Sequence, residues 1–193
     1  MKKLLLMLGV LILLGSLWLV SKPSVAELGI AFAEPAEAGQ ALTVTWFGVT
    51  TLLIDDGVTQ ILIDGYFSRP SLLDIALERT IEPDLAAIEG MLDRFEINRL
   101  KAVIPVHSHF DHALDSAESA NQTGAQLMGS TTTAQIAAGS NLATNQIRVI
   151  ETATVYSVGA FDVTFYPSQH APLASNSAIS GTVAAPLTLP APY

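Results

Sequence analysis

The stretch V-H-S-H-F-D-H-A-L-D, residues 106–115, holds three of the four histidines of the chain. A neutral imidazole is a standard ligand for a borderline transition metal, and a carboxylate such as that of Asp111 can join it as a hard anionic ligand. One interpretation is a polar loop whose histidines are satisfied by hydrogen bonds. Because three His and one Asp crowd together directly after an apolar run, we predict a metal-binding loop instead.

The order of the residues within this stretch predicts how the ligands divide. If the chain leaves a strand while still extended, its side chains alternate, so that His107, His109 and Asp111 lean to one side. His112 breaks the alternation. A chain that turns at this point would direct His107 and His109 to one metal ion, and Asp111 and His112 to a second ion beside it.

The fourth histidine, His170, ends the segment Y-P-S-Q-H, residues 166–170, which follows a predicted strand. An isolated histidine is usually structural. However, zinc held by His107 and His109 needs a third protein ligand, with the fourth position left to water. We predict that His170 supplies that ligand, because it is the only histidine outside the cluster.

The composition narrows the choice of ligands and of redox chemistry. The 193 residues predict one domain with room for a real core, and the sequence contains no cysteine. Disulfides, thiolate metal sites, a catalytic thiol and a lipidated cysteine are therefore excluded. Any metal must be held by nitrogen and oxygen atoms.

Residues 1–22 have the pattern of an export signal. Lys2 and Lys3 precede an uncharged apolar run, residues 4–20, and the small residues around Ala33 offer a cleavage site. The run is long for a cleaved signal peptide and slightly short for a membrane span, so we keep both a signal peptide and an uncleaved N-terminal membrane anchor. Either one predicts a periplasmic or extracellular domain at residues 41–193, joined by an Ala-, Glu-, Gly- and Pro-rich linker at residues 23–40.

The charge of the exported part excludes polyanionic partners. All 18 acidic residues lie beyond residue 22, whereas three of the nine basic residues lie within the leader, which leaves six and a formal charge of −12. Such a surface repels phosphate backbones. We therefore expect a small-molecule or lipid-like substrate, no nucleic acid, and no electrostatic attraction to an anionic membrane. The sequence does not predict an oligomeric state.

The first half of the domain reads as an antiparallel meander followed by a helix. Three β-prone runs cover residues 42–46, 51–54 and 60–63, and the Asp-Gly pair at residues 56–57 is a strong hairpin signal between the last two. A helix is expected next, with Pro83 in its first turn and an apolar face formed by Leu85, Ile88, Leu92 and Phe95.

The second half is predicted to alternate strands with a helix and to end in a hairpin. Residues 102–104 form a continuous apolar run, typical of a strand covered on both faces, and Pro105 marks its end. Further strands are expected at residues 125–128 and 146–150, a helix with a Ser or Thr N-cap at residues 130–138, and a hairpin of residues 154–158 and 161–165.

Asp64 lies at the end of the third predicted strand, before Gly65. The plain interpretation is a turn-forming residue. The functional one is a carboxylate that contacts the histidine loop and orients an imidazole. The sequence favours neither.

These residues together resemble a known superfamily. H-S-H-F-D-H at residues 107–112 resembles the H-x-H-x-D-H signature of the metallo-β-lactamase-fold hydrolases, and T-V-T-W-F-G at 43–48 with I-L-I-D at 61–64 resembles their opening. Y-P-S-Q-H at 166–170 looks most like the branch that contains N-acylphosphatidylethanolamine phospholipase D and the ascorbate 6-phosphate lactonase-like proteins. The resemblance covers residues 42–170.

The resemblance implies an α/β (α+β) chain that forms the N-terminal half to two-thirds of an αββα sandwich with a dinuclear zinc site. By motif position, His107, His109 and His170 would bind the first Zn²⁺, and Asp111 and His112 the second. A metal-bound hydroxide would attack an ester, lactone, amide or phosphodiester, and Asp111 would also steer it or relay a proton.

The sequence also departs from the family pattern. Relatives carry a later Asp that bridges both metals and a final His for the second metal, whereas this sequence has no His after residue 170 and no Asp after residue 162. Val49 stands where many relatives of the branch have a His. Two hypotheses follow: a zinc-dependent hydrolase that is truncated at the C-terminus, or a non-catalytic exported remnant that binds at most one zinc tightly.

Overall fold

The computed structural model describes residues 2–20, 42–170 and 183–188. The helices are α1 Lys2–Val20, α2 Leu72–Ala76, α3 Leu85–Arg94, α4 Phe110–Ala113, α5 Ser116–Thr123 and α6 Thr131–Gly139. The strands are β1 Thr43–Trp46, β2 Leu52–Asp55, β3 Gln60–Ile63, β4 Leu100–Ile104, β5 Gln126–Gly129, β6 Ile147–Val149, β7 Val155–Val158 and β8 Phe161–Thr164. The predicted linker and cleavage site lie outside the described residues.

The predicted leader forms helix α1 over its apolar run. Within the described parts of the chain, no helix meets the length and hydropathy needed to cross a membrane. The signal peptide, the membrane anchor and the export of the domain stay predictions.

The central sheet has six strands in the order β1-β2-β3-β4-β5-β6. β1, β2 and β3 pair antiparallel, as the predicted meander requires, and the β2–β3 turn uses Gly57 at a φ of 81°. β3, β4, β5 and β6 pair parallel, because helices connect β3 to β4, β4 to β5 and β5 to β6. The parallel strands therefore all end at one edge of the sheet.

Each face of the central sheet is covered by a different layer. On one face, Leu62, Val103 and Leu127 of the sheet pack with Ile88 of α3 and Ala120 of α5 in one buried cluster. On the other face, Ile61, Ala102, Ile104 and Met128 pack with Tyr156 and Val158 of the hairpin formed by β7 and β8. The predicted α/β class is confirmed, and the layers run helix, sheet, sheet.

The strand predictions hold within one or two residues, whereas the prediction for α3 is wrong in two details. Asp84 is the N-cap and accepts a hydrogen bond from the backbone of Ala87 at 3.0 Å, so Pro83 precedes the helix instead of lying in its first turn. Leu85 is 56% exposed and lines an open groove beside Gln122, while Ile88 is fully buried. The apolar periodicity placed Leu85 on the core-facing side of α3, but the core does not extend to this first residue of the helix.

Helices α2, α4 and α5 were not predicted. α2 has five residues and α4 has four, too few to show a helical period. α5, Ser-Ala-Glu-Ser-Ala-Asn-Gln-Thr, packs mainly through small residues, so it carries no apolar stripe. It nevertheless contacts β4 directly, and thus supports the strand that leads into the histidine stretch.

The contact between the β7–β8 hairpin and the central sheet gives a first testable prediction. Gly159, at a φ of 61°, approaches Thr59 so closely that an added Cβ would lie 2.2 Å from the Thr59 Oγ1. Gly124 has a similar φ of 73°, with nothing within 4 Å of such a Cβ. Urea unfolding of Gly159→Ala should therefore show a greater loss of stability than Gly124→Ala, by about 1 kcal/mol or more, since overpacking adds to backbone strain. Equal losses would contradict this close approach.

Candidate metal centre

The predicted site residues gather at the edge where the parallel strands end. Asp64 follows β3, residues 106–112 follow β4, and Ser130 follows β5. Thr50 precedes β2, which runs antiparallel to β3 and so begins at this same edge. Loops at the carboxyl ends of parallel strands are rigidly supported and commonly carry binding sites.

His107, His109 and His170 converge at this edge. Each offers a ring nitrogen, and the three nitrogens lie within 4.8 Å of one another. The ring centroids of His107 and His170 are 5.1 Å apart, and those of His109 and His170 are 4.8 Å apart. His107 and His109 are half-buried, whereas His170 is exposed. We call this set the first metal position.

The donor set of the first metal position fits a zinc-like ion. Zn–N bonds of about 2.0–2.1 Å in a tetrahedral site separate two nitrogen ligands by roughly 3.4 Å. His107 Nε2 and His109 Nδ1 are 2.9 Å apart, and the three donor nitrogens all lie within 4.8 Å of one another, close enough to share one ion. Burial, followed by the neighbouring His112, lowers the pKa of His107 to about 4, so its ring stays neutral and keeps a lone pair for a metal.

Helix α4 holds the next two predicted ligands beside this set. His109 is its N-cap, and the backbone N–H groups of His112 and Ala113 donate to the His109 carbonyl at 3.0 and 2.8 Å. The chain therefore turns at His109, earlier than the break at His112 indicated, and Asp111 does not continue an extended alternation with His107 and His109. Asp111 Oδ2 and His112 Nε2 lie 3.6 Å apart, a separation suited to one shared ion. We call this pair the second metal position.

The two metal positions adjoin, but they differ in the number of side chains that could bind an ion. The ring centroids of His107 and His112 are 4.0 Å apart. Within the described residues, only the first position brings three metal-binding side chains together. A tighter first ion and a weaker second one are the expected consequence.

Asp64 serves both as a turn residue and as a partner of the histidine loop. Its φ is 62°, and it is fully buried. Its Oδ1 accepts a hydrogen bond from the backbone of Val106 at 2.8 Å, and its Oδ2 lies 2.8 Å from Nδ1 of His112. The carboxylate therefore fixes both the start of the loop and the ring of one predicted ligand.

The electrostatic environment of His112 follows from this contact. Burial alone lowers the pKa of His112, but the hydrogen bond to Asp64 and the charges on Asp64 and Asp111 outweigh it, so the pKa is raised. With Nδ1 bonded to Asp64, Nε2 is the ring atom that faces Asp111. A metal at the second position would take the place of the Nε2 proton.

Two residues at the site were not predicted from the sequence. Thr50 contacts both Asp64 and His112 through its hydroxyl. Asp115 is fully buried and accepts hydrogen bonds from the backbone N–H groups of Phe67 and Ser68 and from the Ser68 hydroxyl, all at 2.6 Å. Burial raises the pKa of Asp115 despite these bonds. Asp115 ends the histidine stretch and is followed by small residues, a pattern that could have indicated a buried carboxylate. Thr50 gave no comparable signal, because threonine is common in β-prone sequence.

Comparison with solved structures identifies similar chains. MEM-A1, a subclass B3 metallo-β-lactamase from a soil metagenome library, is 19% identical with a TM-score of 0.43, covering 68% of this chain and 52% of its own. Igni18, a metallo hydrolase from the archaeon Ignicoccus hospitalis, is 21% identical with a TM-score of 0.37, covering 60% and 42%. The chemotaxis sensor ODP, solved as a peroxy diiron species, is 13% identical with a TM-score of 0.40, covering 62% and 42%.

MEM-A1 and Igni18 are metallo-hydrolases, as are the members of the class that the sequence resembles, and this chain covers about half of the length of all three chains. No model of a protein family matches the sequence, and no curated protein sequence matches it. The narrower resemblance to the phospholipase D and lactonase-like branch stays a prediction.

Proposed function

We propose that this chain is a zinc-dependent hydrolase, or the metal-binding part of one, acting on an ester, lactone, amide or phosphodiester. The observation that carries the proposal is the convergence of His170 with His107 and His109. The four histidines of the sequence all lie at one edge of one sheet, although His170 is far along the chain. A hydrogen-bonded polar loop does not require that convergence.

The proposal assigns the metal ligands and one further role. His107, His109 and His170 hold the first ion, and Asp111 and His112 hold the second. Zinc bound there would lower the pKa of a water molecule and polarise the attacked carbonyl or phosphoryl oxygen. Asp111 would also accept a proton or orient water, a role that the 37% exposure of its side chain supports, while the buried Asp64 would hold the His112 ring.

The substrate and the location are further parts of the proposal. A small-molecule or lipid-like substrate suits the strongly acidic chain, since polyanions would be repelled. The basic start and apolar run of the leader support export to the periplasm or the cell exterior, with or without cleavage. Zinc is favoured by the three-imidazole set, which also suits iron, so the choice of metal is part of the test.

Chelation tests the proposal directly. Hydrolysis of a panel of chromogenic esters, lactones and phosphodiesters is measured before and after dialysis against a chelator, and again after addition of Zn²⁺ or Fe²⁺. We expect chelation to abolish turnover and the physiological metal to restore it, because water activation depends on the ion. Turnover that survives complete removal of metal would exclude the mechanism.

Turnover measured as a function of zinc content separates the hydrolase from the alternative of a non-catalytic remnant. Both predict about one tightly bound zinc per chain, because both keep the first metal position. Only the hydrolase predicts turnover that rises as the second position fills. A chain that binds one zinc and hydrolyses nothing would favour the remnant.

A further inference from the structure

We propose that Thr50 is a positioning residue for the second metal position, an inference that rests on the proposed function. Its hydroxyl is 2.9 Å from Nδ1 of His112 and also donates to Oδ2 of Asp64. Nδ1 of His112 is itself 2.8 Å from that same carboxylate oxygen. Three polar atoms thus form a closed triangle behind the ring of a predicted ligand.

The hydrogen-bonding capacities of the three groups allow one arrangement. As a carboxylate, Asp64 only accepts, so both Thr50 and Nδ1 of His112 must donate to its Oδ2. The proton of His112 therefore lies on Nδ1, where the Thr50 oxygen also accepts from it. Nε2 faces Asp111 at 3.6 Å and is the ring atom left for a metal to bind in place of a proton. The triangle selects the tautomer that a metal at the second position needs.

The backbone around Thr50 holds its hydroxyl in this place. Thr50 lies in a tight turn in which the Thr51 N–H donates to the Gly48 carbonyl at 3.0 Å. Arg69 also donates to the Gly48 carbonyl, at 3.3 Å. Val49 has a φ of 52°, a conformation that is rare for a β-branched residue. A turn that keeps this strain is fixed by its surroundings, and strain of this kind is often found beside functional groups.

Thr50 acts on the second metal position and not on the first. Its contacts are to His112 and to Asp64, whereas the first position is built from His107, His109 and His170. Thr50 is also exposed, so loss of its hydroxyl leaves no buried group unpaired at its own position. An effect on metal binding can therefore be measured without a large effect on folding.

The test compares zinc binding by the full chain and three variants. Thr50→Val removes the hydroxyl at constant shape, Thr50→Ser keeps it, and Thr45→Val makes the same change on β1 as a control. In calorimetric titrations of zinc-free protein, we expect Thr50→Val to weaken the second zinc by about 10-fold and the first by less than about twofold, as for partners that orient a metal ligand. Thr50→Ser and Thr45→Val should bind both ions as the wild type does.

A second measurement needs no metal. In zinc-free protein, the Nδ1 proton of His112 should exchange with solvent faster in Thr50→Val than in Thr50→Ser, because the hydroxyl no longer covers it. Unchanged exchange together with unchanged second-site affinity in Thr50→Val would overturn the inference, as would a Thr50→Ser variant as weak as Thr50→Val. Failure of the proposed function is distinguishable, because it would be seen in the wild type itself, as zinc binding without hydrolysis of any substrate in the panel or as no zinc at the first metal position.

Discussion

Replacing either His107 or His170 with alanine is expected to lower the affinity of the first zinc by two to three orders of magnitude. Structural zinc held by four ligands is bound with about 10–16 kcal/mol, so one ligand contributes roughly 2.5–4 kcal/mol. The two residues lie in separate segments of the sequence, but their ring centroids are 5.1 Å apart. Each replacement therefore removes one of the three nitrogens of the first metal position.

Competition against a zinc chelator of known affinity measures this loss. Gln169→Ala is the matched control for His170→Ala, because Gln169 is the exposed neighbour of His170 in the same loop and is not among the three ligands. We expect it to bind zinc as the wild type does. If His170→Ala bound zinc as tightly as Gln169→Ala, the three-histidine assignment would be wrong.

Ile88→Ala is expected to lower the free energy of unfolding by about 2–5 kcal/mol. The side chain of Ile88 is fully buried on the inner face of α3, in the cluster that includes Leu62 and Val103 of the central sheet. Removing three carbon atoms there loses their burial and leaves a cavity that the surrounding sheet cannot fill. Urea unfolding followed by circular dichroism provides the measurement.

Leu85→Ala serves as the matched control on the same helix and the same face. Leu85 is 56% exposed, so its truncation should change the stability by less than about 0.5 kcal/mol. A loss equal to that of Ile88→Ala would show that the core extends to the start of α3, as the sequence periodicity alone suggested. The pair thus tests where the helix layer stops covering the sheet.

Local patterns predicted most of the fold because they act over short distances. The β2–β3 hairpin follows from Asp-Gly between two β-prone runs, and the register Asp55 to Gln60 agrees with it. The Ser130 cap of α6 is likewise local, since its hydroxyl accepts from the Thr133 backbone at 3.2 Å. The features that the sequence did not predict depend instead on contacts between distant parts of the chain. α5 packs through small residues, and the exposure of Leu85 depends on what lies opposite it.

The residues of the candidate site also fall into two groups, those that the local sequence predicts and those that only the tertiary structure brings together. Three of the four histidines are neighbours in the sequence, so their proximity needed no tertiary information, whereas the turn of α4 begins at His109 and not at the break in alternation at His112. Thr50 could not be predicted, because its partners Asp64 and His112 reach it only when β2, β3 and β4 align in one sheet. The role of Asp64 stayed open for the same reason.

The sequence by itself determined the chemistry that is available: nitrogen and oxygen ligands without thiols, a dense histidine-carboxylate stretch after a buried strand, and an acidic chain behind an apolar leader. Only the tertiary structure decided that His170 meets His107 and His109, and that Asp64 and Thr50 close around His112. The physical reason is the distance along the chain over which each property is set. A side chain's donor atoms and its helix or strand preference depend on its near neighbours, whereas a metal position depends on how distant strands end at one edge of a packed sheet.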